Sequence, residues 1–164
     1  MKHTTIDRRG LIGGAATAAI GLLMFRAAAP TQAAARFAVT KTPAQWRQQL
    51  GPERYRILRA AGTERAFTSP LNTEHRRGTF VCAGCALPLF SSTAKFDSGT
   101  GWPSFFKPLP GAVITRADRG LLMERTEVLC ARCGGHLGHV FDDGPKPTGL
   151  RYCMNGLALR FQPA

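Results

Sequence analysis

Residues 128–161 read VLCARCGGHLGHVFDDGPKPTGLRYCMNGLALRF, a succession of short apolar runs (128–130, 139–141 and 150–161) cut by turns rich in glycine and proline. Runs of this length, punctuated in this way, are strand signals rather than helical ones. The same texture extends upstream through 78–82, 87–90, 112–115 and 121–125. Many short strands joined by turns imply a mainly β fold, an antiparallel sheet or barrel-like sandwich. Helical signals precede it. Thr42-Pro43-Ala44-Gln45 has the layout of a capping box with proline in the first turn, placing Trp46 and Leu50 on one face. A second short helix is expected from Gly51-Pro52 through Tyr55, Leu58 and Arg59, with Gly62 as its stop.

Five cysteines punctuate the chain, and their spacing sorts them. Cys82/Cys85 and Cys130/Cys133 form two CxxC pairs, the thiolate complement of one closed tetrahedral zinc site. Such an ion would clamp together two segments separated by residues 86–129, a longer interval than a compact zinc ribbon uses. Redox-active dithiols are the alternative reading of the same pairs. Cys153 is left over. If residues 151–155 form a strand, alternation puts Arg151, Cys153 and Asn155 on one face and Tyr152 and Met154 on the other. A cation beside the thiol favours thiolate, and the amide adds a hydrogen-bond donor. His136 and His139 lie close by in sequence and can supply a proton to a leaving oxygen. Alternatively, His136 could replace a cysteine in the metal shell.

The first 35 residues read as an address. Lys2, Arg8 and Arg9 precede an apolar run over 11–25, and Ala33-Ala34-Ala35 offers a small-residue cleavage site. The run falls short of the roughly 20 residues of a membrane span. Adjacent arginines in Asp7-Arg8-Arg9-Gly10-Leu11-Ile12 indicate twin-arginine export, although Asp7 stands where a hydroxyl residue is more typical. The expectation is therefore a leader over 1–35, a single domain over 36–164, a bacterial periplasmic location and no stable membrane span after cleavage. The formal charge of +12 is partly carried by that leader. The remaining arginines are scattered without a lysine block or stacked aromatics, so nucleic acid is not an expected partner.

Two long stretches, GTERAFTSPLNTEHRRGTFVCAGCALPLFSSTAKFDSGTGWPSFFKPL over 62–109 and RTEVLCARCGGHLGHVFDDGPKPTGLRYCMNGLAL over 125–159, closely resemble the B-type methionine sulfoxide reductases. The resemblance spans about 43–161. It implies two antiparallel sheets, one structural Zn²⁺ per chain on Cys82, Cys85, Cys130 and Cys133, and reduction of methionine R-sulfoxide in proteins or peptides. By motif position, Cys153 is similar to the family's nucleophile, His136 and His139 to its paired histidines, Asn155 to its active-site asparagine and Trp102 to the wall for the substrate methyl. Arg151 is read with Trp102 as substrate-binding. His139 is the preferred acid. Many family members place a resolving cysteine where this chain has Thr100, so the expected cycle uses one cysteine and an external, thioredoxin-like thiol. Gly156 also departs from the serine common among relatives.

Two other classes compete on the same residues: a basic zinc module gripping nucleic acid, and a thiol-disulfide oxidoreductase working through a CxxC pair. The export signal argues against the first. Zinc bound by the pairs would argue against the second.

Overall fold

Thr42 opens the first helix through a reciprocal pair of bonds. Its Oγ1 accepts from the Gln45 N–H at 3.2 Å, while Gln45 Oε1 accepts from the Thr42 N–H at 2.9 Å. The computed structural model describes residues 37–119 and 124–164. The expected leader over 1–35 and residues 121–123 of one expected run lie outside the described residues. Helix α1 (Pro43–Ala60) contains the two helices expected from the sequence, joined without a loop. They meet at a kink where Gly51 takes φ 69° and ψ 174°, and Pro52 begins the second half. The left-handed stop falls on Ala61 (φ 50°), one residue before the expected Gly62. Trp46, Leu50, Ile57 and Leu58 carry the buried face of α1. Among the described residues, no helix is long and apolar enough to cross a membrane.

The strands are β1 (Gly78–Cys82), β2 (Pro88–Ser91), β3 (Lys95–Phe96), β4 (Ser104–Phe105), β5 (Val113–Asp118), β6 (Arg125–Cys130), β7 (His136–Phe141), β8 (Arg151–Met154) and β9 (Leu159–Pro163). They form two antiparallel sheets: β2-β1-β9, and β3-β4-β8-β7-β6-β5. Phe80 from β1, Phe90 from β2 and Phe105 from β4 fill the core as a cluster. The Phe80–Phe105 centroids are 4.9 Å apart, and those of Phe90 and Phe105 are 4.3 Å apart. Each such ring, fully withdrawn from water, contributes roughly 1.5–3 kcal/mol.

The tail departs from a single strand over 150–161. β8 ends at Met154, Gly156–Ala158 forms a 3₁₀ turn, and β9 continues in the other sheet. Glu64 makes the break. Its carboxylate, on a residue only 4% exposed, accepts the N–H groups of Gly156 at 2.6 Å and Leu157 at 2.9 Å. A buried carboxylate offering acceptors to two backbone donors competes directly with continued strand pairing. Glycine fits here because a Cβ at position 156 would stand 1.9 Å from Ser69 Oγ. This crossover leaves Cys153 near the end of β8, across from His139 of β7.

Candidate functional site

The two CxxC pairs converge. Cys82 ends β1 and Cys130 ends β6, and each chain then turns back in a similar way. Ala86 N–H donates to Cys82 O and Gly134 N–H to Cys130 O, both at 2.8 Å, with Ala86 (φ 58°) and Gly134 (φ 66°) left-handed. The sulfurs of Cys82 and Cys133 are 3.7 Å apart, those of Cys85 and Cys130 are 3.5 Å apart, and all four lie within 4.8 Å of one another. The cluster could hold a metal ion. Hydrogen bonding to Cys130 and Cys133, followed by burial, pushes the Cys82 thiol far above its ordinary value, so four thiolates here call for a compensating cation. Helix α1 braces the cluster: Arg59 donates to Cys133 O at 2.9 Å, and Gln49 Nε2 to Gly84 O at 2.6 Å.

Cys153 lies apart from that cluster, half-buried, in a cleft of about 130 Å³ that it shares with Trp102, Arg125, His139, Phe141 and Asn155. In the sheet, β8 lies between β4 and β7, so Cys153 has Ser104 as one cross-strand neighbour and His139 as the other. Directly opposed residues project to the same face. Met154, the next residue, is fully buried on the other face. Thr100 Oγ1 stands 3.8 Å from Cys153 Sγ and is 2.8 Å from Ser98 Oγ, which also meets Ser104 Oγ at 2.8 Å. Hydroxyls, not a second thiol, surround the sulfur on that side.

Both histidines are backed by carboxylates that the sequence reading did not single out. His136 Nδ1 is 2.7 Å from Glu127 Oε1, and His139 Nε2 is 2.9 Å from Asp118 Oδ2. Glu127 also pairs with Arg116, and Asp118 with Arg125 at 2.8 Å. The signal was present in period 2: β5 and β6 carry Arg116, Asp118, Arg125 and Glu127 at alternating positions. Only the pairing register reveals that they face β7. His136 does not line the cleft; its ring lies behind that of His139, with centroids 5.5 Å apart. Its Nδ1–H donates to the carboxylate, leaving Nε2 as a buried acceptor without a protein partner among the described residues.

Asn155 is anchored as much as it is presented. Its Oδ1 accepts the Glu64 N–H at 2.9 Å and its Nδ2 donates to Leu137 O at 3.1 Å. Glu64 O in turn accepts Trp102 Nε1–H at 3.1 Å. One residue absent from the sequence reading thus ties together the Trp102 loop, Asn155 and the turn after Cys153. Arg151 is placed beside the cleft, not in its lining. It makes a two-pronged pair with Asp143 (2.8 Å at both nitrogens) and lies 4.4 Å from the Phe141 ring centroid. Hydrogen bonds to Asp143, with a further contribution from Cys153, raise its already high pKa.

Burial pushes the His136 imidazole below its ordinary value, outweighing the Glu127 contact. Below about pH 6.5 the unfolded chain therefore binds a proton that the folded one refuses. Stability from this group is complete above that pH and is lost as pH falls toward the lower folded value. His136→Gln should flatten the pH dependence of unfolding free energy just below pH 6.5, where one group contributes up to about 1.4 kcal/mol per pH unit. Urea titrations of both proteins at several pH values measure this, and identical slopes would contradict it.

A half-buried thiol opposite a carboxylate-backed imidazole, beside an aromatic wall and remote from a four-sulfur cluster, defines a site suited to nucleophilic sulfur chemistry. A SelR domain model matches residues 50–163. A peptide methionine sulfoxide reductase MsrB of Thiobacillus denitrificans is 61% identical over 124 residues, covering 75% of this chain and 94% of that protein. Proteins of the same name from Leptospira interrogans (54% over 127 residues; 77% and 97% covered) and Agrobacterium fabrum (57% over 126 residues; 76% and 93% covered) are similar. The chain belongs to the SelR-domain family of MsrB proteins.

Proposed function

We propose that this protein reduces methionine R-sulfoxide in oxidised proteins and peptides to methionine, repairing them through a single-cysteine cycle. The observation that carries this reading is the placement of Cys153 across from His139, in a cleft of about 130 Å³ walled by Trp102. In the first step the Cys153 thiolate attacks the sulfoxide sulfur, and His139 gives a proton to the oxygen. Thiolate, sulfoxide and one proton become methionine and a sulfenic acid on Cys153. Asp118 shares the positive charge of the imidazole that carries that proton. Asn155, with one amide hydrogen left after its bond to Leu137, and His136, through a water at Nε2, help to hold the oxygen. Trp102 offers the S-methyl group an apolar face, and Arg151 stands beside the cleft, held by Asp143.

An external dithiol of the thioredoxin type then attacks the sulfenic acid, releases water and leaves as a disulfide. The hydroxyl of Thr100 occupies the place nearest Cys153 where a resolving thiol would act. The remaining four cysteines are assigned to one structural Zn²⁺. Four thiolates at about 2.3 Å from a tetrahedral zinc stand about 3.8 Å apart, close to the observed 3.7 and 3.5 Å. We further assign residues 1–35 as a twin-arginine leader and the domain over 36–164 to the bacterial periplasm, supported by Arg8-Arg9, the apolar run and the alanine cleavage site.

Separate R and S diastereomers of a methionine sulfoxide peptide test the reading. Turnover of R, with S slower by at least about 10²-fold, a difference of roughly 2.7 kcal/mol in barrier, is the expected result. Equal rates, or reduction of neither, would overturn it.

A further inference from the structure

We propose that the groove on the outer side of Trp102, with Phe67 at its lip, is a subsite for an apolar side chain flanking the methionine sulfoxide in the substrate polypeptide. This rests on the functional reading above. Phe67 is 73% exposed, far more than Ile114 at 37%, the other exposed large apolar side chain among the described residues. Its backbone is left-handed, φ 65°, a conformation that is a true outlier for a bulky residue. Strain of this kind persists only where the surroundings impose it.

The surroundings do impose it. Phe67 N–H donates to Gly101 O at 2.8 Å, and the same oxygen accepts Asn72 Nδ2–H at 3.0 Å. Gly101, itself at φ 89°, lets the aromatic ring close over the loop: a Cβ there would meet Phe67 ring carbons at 2.8 and 2.9 Å. The ring is therefore displayed by a segment pinned to the loop immediately before Trp102, not left out by a loose one. What distinguishes this ring from a stray surface side chain is its continuity with the rings of Phe96 and Trp102 in the adjoining groove.

The occupant follows from continuity. The groove holds about 260 Å³ beside the rings of Phe67, Phe96 and Trp102, with Asn72, His75, Lys95 and Asp97 also lining it. Trp102 lines both this groove and the catalytic cleft, and its indole is fixed by the Glu64 carbonyl. A cleft of about 130 Å³ takes the sulfoxide side chain and leaves the rest of the polypeptide outside. Neighbouring residues of an extended chain advance by about 3.3 Å each, so a flanking side chain falls across the indole partition. Lys95 and Asp97 offset one another, and the rings of Phe67, Phe96 and Trp102 select an apolar group.

The test compares wild type with Phe67→Asn, because asparagine adopts left-handed φ readily and removes only the ring. Three R-sulfoxide substrates are used: N-acetylmethionine sulfoxide amide, a pentapeptide with leucine on both sides of the sulfoxide, and its glycine-flanked counterpart. Wild type should prefer the leucine peptide by about tenfold in kcat/KM, mostly through KM. Phe67→Asn should shrink that preference to about twofold while leaving the single-residue substrate within about twofold of wild type. An unchanged preference, or an equal loss on the single-residue substrate, would overturn the subsite. Failure of wild type to reduce any of the three R-sulfoxide substrates would overturn the functional reading instead, and the subsite with it.

Discussion

Cys153→Ser is expected to lower kcat/KM for a methionine R-sulfoxide peptide by at least about 10³-fold, or roughly 4 kcal/mol of transition-state stabilisation. A serine hydroxyl at that position is almost entirely un-ionised at neutral pH and is a far weaker attacker of sulfur than thiolate. The substitution is nearly isosteric at a half-buried site, so stability should change by about 1 kcal/mol or less. Activity and stability thus separate, which a merely structural cysteine would not permit. Retention of more than about a tenth of the wild-type rate would show that another group performs the attack.

The second large effect is expected in stability. Cys82 is fully buried at the end of β1 and holds one corner of the four-sulfur cluster. Structural zinc in small domains contributes an apparent 10–16 kcal/mol, about as much as the whole stability of a typical domain, 5–15 kcal/mol. With the proposed zinc in the cluster, Cys82→Ser should therefore reduce bound metal from about one ion per chain to a small fraction and abolish cooperative unfolding. Metal analysis and thermal unfolding measure both. A Cys82→Ser protein that remained folded but lost turnover would instead favour a redox role for the CxxC pair.

What could be read from the chain was whatever chemistry concentrated in local spacing. The Thr42–Gln45 cap, the two CxxC turns and the alternation around Cys153 each depend on residues within five positions of one another. The structure realises the cap, brings the four sulfurs together and sets Cys153 opposite His139. The missing parts depend on partners far away in sequence. Glu64 reaches Gly156 and Asn155 across the domain, and Asp118 and Glu127 reach the histidines only through the β5-β6-β7 register. The two-residue strands β3 and β4 are too short to display any period, yet β4 supplies Ser104 beside Cys153. Arg151 was legible as a cation near the thiol. Its commitment to Asp143 and Phe141 was not.

Mass spectrometry after one turnover without reductant, with a sulfenic-acid trap present, tests the central claim most directly. The account predicts one trapped oxygen equivalent on Cys153, with Cys82, Cys85, Cys130 and Cys133 unmodified. A disulfide joining Cys153 to any of those four, or oxidation confined to a CxxC pair, would contradict it.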